Sequence, residues 1–157
     1  MFLRSTMSDE SPALEWVPWD KKYEMGISML DSQNKELVDL CNAFRTEIMK
    51  RNRGDGPDWR VALGVALKGA VKYTKGHFVA QERMMQQIDY PKFQQHKRYH
   101  QEFVDMVATT LENFPKATMQ TAFEFSGNLR EWIISHIAHD DQEFAKYFFD
   151  PNRKKKV

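Results

Sequence analysis

Four histidines fall on the apolar faces of predicted helices. His77 lies on one helical pattern, His96 and His100 lie one turn apart on the next, and His136 lies on a third. A single inward histidine is usually a hydrogen-bonded core residue. Four together are hard to satisfy with one another, because each neutral ring has one donor and one acceptor, whereas a metal ion uses their lone pairs directly. The set therefore favours a metal site.

Two amide side chains fall on the same buried faces. Asn34 heads the first apolar series, whose steps of three and four residues mark one side of a helix: Asn34, Leu37, Cys41, Phe44 and Ile48. Gln81 follows His77 by one turn. The same face is predicted to carry Thr74 and Met84. Because a buried amide needs polar partners, both amides are expected to lie beside the histidines.

Glycine and proline residues divide the chain into four helical patterns. The clearest break is the stretch RNRGDGPD at residues 51–58, where Asp58 is also a suitable N-cap. The patterns begin at Asp31, Asp58, Pro91 and about Ala117. Because the joints between them are short, neighbouring helices should run antiparallel. We therefore predict an all-α fold, an up-down-up-down four-helix bundle.

The ends of the chain are predicted to lie outside the bundle helices. Residues 1–14 are expected to form a flexible leader and residues 151–157 a solvated basic tail. Residues 15–150 then form the bundle with an N-terminal arm, which Trp16 and Trp19 would pack against the helices. The length of the chain also fits one folded domain.

An antiparallel bundle also predicts the level of each polar residue along its axis. Helix starts at one end of the bundle lie beside helix ends at the same end. The first and third helices contribute residues near their starts, and the second and fourth contribute residues near their ends. A single layer is therefore predicted to contain Asn34, His77, Gln81, His96, His100 and His136. His139 either approaches this layer or faces solvent.

Composition excludes several other classes of function. The 23 basic and 22 acidic residues nearly balance, which argues against nucleic-acid binding. No stretch approaches the length of a membrane span, so no membrane insertion is expected and a cytoplasmic location is predicted. Cys41, the single cysteine, is predicted to be a small buried hydrophobe. Motifs of nucleophilic or nucleotide chemistry are missing, so an enzyme is not predicted.

Four stretches of the chain resemble the hemerythrin family, which includes the bacteriohemerythrins. They are WDKKYEMGISMLDSQNKEL, HFVAQERMM, DYPKFQQHKRYHQEF and WIISHIAHDDQEF, and the resemblance extends from Trp19 to about Phe149. It implies a bundle that binds O2 reversibly at a non-heme diiron site, held by five histidines and two bridging carboxylates. It also implies that His96, His100 and His136 hold one iron and that His77 belongs to the other.

The resemblance assigns the bridging aspartate to Asp141, five residues after His136. Helical spacing alone favours Asp140, which should lie closer to the face of His136. The choice of Asp141 therefore depends on the resemblance.

Two positions depart from the family pattern. Asn34 stands where the family has a histidine, and Gln81 stands where it has a bridging glutamate. Amides bind iron poorly beside imidazole and carboxylate. Glu82 is one residue further, about 100° around the helix, and cannot replace the glutamate without a local distortion of the helix. Both losses weaken the iron position near His77.

The sequence therefore predicts one bound metal ion in preference to two. Iron or zinc would be held by His96, His100, His136 and Asp141. The protein would act as a sensor or as a binder of a small ligand such as O2, and not as a reversible O2 carrier. One alternative is a metal-free interaction module in which Asn34 and Gln81 hydrogen-bond to each other or to His77. The other is a diiron O2-binding protein with an altered site.

Overall fold

Helices make up the bundle in this computed structural model, which describes residues 15–52 and 58–153. Within those residues there is no strand. The helical segments are α1 (Ser28–Asn52), α2 (Trp59–Tyr73), π1 (Thr74–Phe78), α3 (Val79–Gln87), α4 (Phe93–Glu112), α5 (Met119–Ser135), π2 (His136–Asp140) and α6 (Asp141–Phe149). Short 3₁₀ turns cover Lys21–Tyr23 and Phe114–Lys116. The predicted leader, most of the glycine-rich break and the end of the tail lie outside the described residues.

The eight segments form four long helices. Segments α2, π1 and α3 follow one another without a break, as do α5, π2 and α6. The first helix, α1, packs against α2 and α5, and α4 packs against the same two neighbours. The predicted all-α four-helix bundle is confirmed.

Helix starts differ from the prediction at two places. Helix α1 begins three residues before Asp31, whose carboxylate instead accepts hydrogen bonds from the backbone N–H groups of Met25 (2.7 Å) and Gly26 (3.0 Å). Pro91 lies in the turn before α4 and not in its first helical turn. Asp58 is confirmed as an N-cap, since its carboxylate accepts from the Arg60 N–H at 2.9 Å. The sequence thus located these ends to within a few residues.

The N-terminal arm lies against α1 and α5. The Trp16 ring lies between the guanidinium groups of Arg45 and Arg130, whose central carbons are 4.0 and 4.7 Å from its centre. Val17 is fully buried, and its backbone N–H and C=O both bond to the amide of Asn42. Cation–π contacts and paired hydrogen bonds therefore attach the arm to the bundle.

Two apolar clusters enclose the polar layer from above and below. The larger cluster includes Leu37, Phe103 and Ile133, and it also contains Cys41, confirmed as buried. Burial raises the pKa of the Cys41 thiol to about 12. The smaller cluster consists of Met25, Leu30, Met85, Tyr90, Phe144 and Ala145. The polar groups between the clusters are consequently shielded from water.

The described residues contain no helix that combines the length and the apolar character needed to cross a membrane.

Candidate metal centre

Each π segment carries residues of the polar layer. Segment π1 contains His77, and π2 begins at His136 and ends just before Asp141. A π turn inserts one residue into an α-helix and so rotates everything after it. This is why Asp141 is fully buried on the side of His136, whereas the Asp140 side chain remains 17 % exposed. The expectation from regular helical spacing, which favoured Asp140, fails for this reason.

The residues of the second helix that face inward differ from the prediction at two positions. Tyr73 and Met85 are buried, whereas the predicted Thr74 and Met84 are only partly covered. His77 and Gln81 are both fully buried. Tyr73 therefore belongs to the polar layer, although Thr74 was predicted to face inward at that turn.

Three histidines converge within the layer. His96, His100 and His136 are buried, and one ring nitrogen from each lies within 4.8 Å of the other two. His96 and His100 come from adjacent turns of α4, and His136 comes from the start of π2. Three imidazoles at such distances can serve as ligands to one ion.

Two oxygens face the same ring nitrogens. The Oδ1 atom of Asp141 lies 3.3 Å from the Nε2 atoms of both His96 and His136. The Oε1 atom of Gln81 lies 3.2 Å from the Nε2 atoms of His96 and His100. Two ligands at about 2.0 to 2.1 Å from one ion, in tetrahedral or octahedral directions, are about 2.8 to 3.4 Å apart. These oxygen–nitrogen distances therefore match the spacing of two ligands on one ion.

Acidic side chains contact the outer nitrogens of two of these rings. His100 Nδ1 lies 2.9 Å from Glu82 Oε1, and His136 Nδ1 lies 3.2 Å from Asp140 Oδ2. A ring that donates from Nδ1 to a carboxylate keeps the lone pair of Nε2 for a metal. Glu82 and Asp140 thus orient ligands without being ligands. Exposed His139 faces solvent and contacts Asp140 at 3.1 Å.

His77 lies on the other side of the layer. Its ring stacks on that of Tyr73, with 4.6 Å between centres, and its Nδ1 bonds to Gln33 Oε1 at 3.0 Å. Its Nε2 is buried and has no hydrogen-bond partner among the described residues. Burial lowers the pKa of His77 to about 4, so the ring is neutral near pH 7. One neutral nitrogen is therefore available there.

The two amides bond to Asp141 and not to each other. Asn34 Nδ2 donates to Asp141 Oδ2 at 3.0 Å, and Gln81 Nε2 donates to Oδ1 at 2.8 Å. The Tyr73 hydroxyl donates to Asn34 Oδ1 at 2.6 Å. The expected pairing of Asn34 with Gln81 is not among the hydrogen bonds of the described residues, since both amides donate to Asp141. The reason is that a carboxylate accepts more strongly than a neutral amide oxygen.

The charge of the layer is concentrated on Asp141 and His136. Burial would raise the pKa of Asp141, but the charge of His136 and its hydrogen bonds hold it well below its usual range. Burial would lower the pKa of His136, but Asp141 and Asp140 together raise it to about 9. His96 and His100 have lowered pKa values because they are buried. An ion bound here would replace the His136 proton as the positive charge beside Asp141.

The donors around the three histidines are sufficient to surround one ion, and the His77 side offers fewer. Around the three histidines, Asp141 Oδ1 and Gln81 Oε1 lie 3.2 to 3.3 Å from the ring nitrogens. On the His77 side, the Asn34 NH2 group already occupies Asp141 Oδ2. An amide NH2 carries no lone pair for a metal. A second ion would also add two positive charges to the layer. Among the described residues, Asp141 is the fully buried carboxylate that could balance them.

Comparison with known proteins gives the following similarities. A family model described as "Hemerythrin HHE cation binding domain" matches residues 25–148. The chain is 28% identical over 127 residues to a bacteriohemerythrin of Stenotrophomonas maltophilia, covering 81% of this chain and 78% of that protein. It is also 28% identical over 126 residues to a myohemerythrin of Riftia pachyptila, covering 80% of this chain and 88% of that protein.

Proposed function

The chain belongs to the hemerythrin family, and from that premise we propose that it holds one non-heme metal ion through His96, His100, His136 and Asp141. The spacing of the donor atoms supports this proposal, since Asp141 Oδ1 lies 3.3 Å from two of the ring nitrogens. Iron is the expected ion because it is the metal of the family. Zinc also accepts three imidazoles and one carboxylate.

The proposed role is that of a sensor or small-ligand binder, neither an enzyme nor a reversible O2 carrier. A bound iron would supply an open coordination position for a small ligand such as O2. Phe78 stacks on His100 with 3.8 Å between ring centres, and Trp132 stacks on His136 at 4.3 Å. These rings fix the imidazole planes and keep water from the ligands. Reversible O2 binding by an iron pair would need the ligands that Asn34 and Gln81 replace.

Metal content after anaerobic loading with ferrous iron tests the proposal. We expect about one iron per chain by elemental analysis, and no oxygen-dependent charge-transfer bands of an iron pair on exposure to air. Two irons per chain with such bands would instead support an altered diiron O2-binding site. The substitution His100→Ala should remove the ion, whereas the exposed control His139→Ala should retain it.

One observation favours a second candidate, a metal-free interaction module. The amides of Asn34 and Gln81 donate to both oxygens of Asp141, so this carboxylate has hydrogen-bond partners without an ion. The same elemental analysis separates the candidates. Less than a tenth of an equivalent of iron or zinc after loading would favour the module.

A further inference from the structure

A chain of hydrogen bonds crosses the polar layer on the side away from the three histidines. It starts at the Tyr73 hydroxyl, passes through the Asn34 amide and ends on Asp141 Oδ2, with lengths of 2.6 and 3.0 Å. All three side chains are buried, since Asn34 and Asp141 are fully covered and Tyr73 is 7% exposed. The chain joins the first, second and fourth helices of the bundle.

Hydrogen-bond chemistry fixes the direction of this chain. An ionised carboxylate can only accept, so the NH2 side of Asn34 must face Asp141. The carbonyl side of the same amide then faces Tyr73, whose hydroxyl is the donor. Burial raises the pKa of Tyr73 well above its usual value, so the hydroxyl keeps its proton. Asp141 and Tyr73 therefore fix the orientation of the Asn34 amide together.

The opposite oxygen of Asp141 is the one directed at the histidines. Oδ1 lies 3.3 Å from His96 Nε2 and His136 Nε2, and Gln81 Nε2 donates to it at 2.8 Å. A carboxylate that bridges two ions gives one oxygen to each. Here Oδ1 faces the histidines and Oδ2 faces Asn34. The Asn34 NH2 group thus stands on the side that a second ion would take.

We infer that Tyr73, acting through Asn34, supplies to Asp141 the contact that a second ion would supply, and is a positioning residue for the single ion. This inference rests on the one-ion function proposed above. Without the hydroxyl, the Asn34 amide loses one of its two partners, so Asp141 is held less firmly in its orientation toward His96 and His136. The ion would then bind a less preorganised carboxylate and bind it more weakly.

Titration with Co²⁺, followed by its visible absorption, tests this inference in the full chain. We expect Tyr73→Phe to bind one Co²⁺ about tenfold more weakly than the unmodified protein. This is the smaller end of the loss in metal affinity that follows when a residue supporting a ligand is removed. Asn34→Leu should weaken binding by a similar factor. The control is Tyr99→Phe, which removes a hydroxyl whose hydrogen bond is with exposed Gln95. It should change the affinity less than twofold.

A double variant distinguishes positioning from a general loss of stability. If Tyr73 acts through Asn34, adding Tyr73→Phe to Asn34→Leu should weaken Co²⁺ binding by less than a further twofold. Melting temperatures of the metal-free variants should decrease with both substitutions, and they serve to establish that each variant is folded. If the two effects on Co²⁺ affinity multiply instead, or if Tyr73→Phe binds as tightly as the unmodified protein, the inference is wrong.

The outcomes also separate this inference from the proposed function. An unmodified protein that binds one Co²⁺ but is insensitive to Tyr73→Phe contradicts only the positioning role. An unmodified protein that binds no Co²⁺, or two, contradicts the one-ion function and removes the positioning role with it.

Discussion

Side chains that are not proposed ligands set the orientation and the tautomer of the histidine rings. Glu82 and Asp140 contact the Nδ1 atoms of His100 and His136, and Gln33 contacts that of His77. Each contact favours the ring tautomer whose Nε2 lone pair faces the layer. Glu82 is only partly buried, and burial still raises its pKa. Glu82 therefore orients His100 and is not itself a ligand.

The substitution Glu82→Gln tests that orienting role. A neutral amide still accepts from His100 Nδ1, but it makes the ring a weaker ligand because it carries no charge. We expect a roughly tenfold loss in Zn²⁺ affinity, measured by competition with a chelator, with the stoichiometry unchanged. Glu131→Gln removes an exposed carboxylate of α5 and serves as the control. Equal affinities for Glu82→Gln and this control would contradict the role.

Restoring both departures from the family pattern should change the stoichiometry. The double variant Asn34→His with Gln81→Glu returns an imidazole and a carboxylate to the His77 side, where a nitrogen without a hydrogen-bond partner in the described structure already faces inward. We expect two irons per chain by elemental analysis. Lys35→His with Gln87→Glu adds the same groups at exposed positions and should keep one. If the restored variant still holds one ion, the loss of the second ion position has another cause elsewhere in the fold.

At the level of elements, segment π2 determines which side chains of the fourth helix face the site. In π2, the extra residue between His136 and Asp141 places both side chains in the buried layer. In the second helix, Tyr73 precedes His77 by four residues and stacks on its ring, a pairing that helical spacing permits. A regular α-helix would rotate Asp141 by about 100° relative to its observed position and separate it from His136. Local helix geometry is therefore part of the site.

Two adjacent aspartates provide the test of this register. Asp141→Asn removes the inward carboxylate, so we expect the ion to be lost from the loaded protein by elemental analysis. Asp140→Asn should keep one ion and bind it about tenfold more weakly, because it only weakens the contact with His136 Nδ1. The opposite order of effects would mean that Asp140 is the ligand and that the π segment does not set the register.

At the level of the whole molecule, the arm stabilises the bundle at a distance from the site. Trp16 lies between two guanidinium groups, and the Arg130 side chain donates to the Trp16 carbonyl at 2.9 Å. Arg45 belongs to α1 and Arg130 to α5. The arm therefore links the first and fourth long helices of the bundle, which also contribute to the polar layer.

Loss of the Trp16 ring should reduce stability but leave the ion in place. For Trp16→Ala we expect a free energy of unfolding lower by about 2 to 3 kcal/mol, since the ring loses packing and two cation–π contacts. In a chain of this size, that corresponds to a decrease of about 4 to 12 °C in melting temperature. Metal stoichiometry should stay at one. Met29→Ala, at an exposed side chain of α1, should melt within about 2 °C of the unmodified protein.

The sequence by itself determined the bundle and the members of its polar layer. Asn34, Gln81 and the four inward histidines could be identified because helical periodicity assigns a face, and short connections assign a level along the bundle. Both arguments depend on neighbours along the chain, so they need no coordinates. The buried face of α1, including Cys41, was predicted for the same reason.

Only the tertiary structure decided which residues of the layer hydrogen-bond to one another. The insertion of a residue at π2, the donation of both amides to Asp141 and the entry of Tyr73 into the layer all depend on helices meeting at defined distances. Periodicity assumes a regular helix, so it favoured Asp140 over Asp141, and Thr74 was predicted where Tyr73, equally compatible with the spacing, is buried. A hydrogen bond between residues 107 positions apart, such as that from Asn34 to Asp141, exists only once packing has brought its partners together.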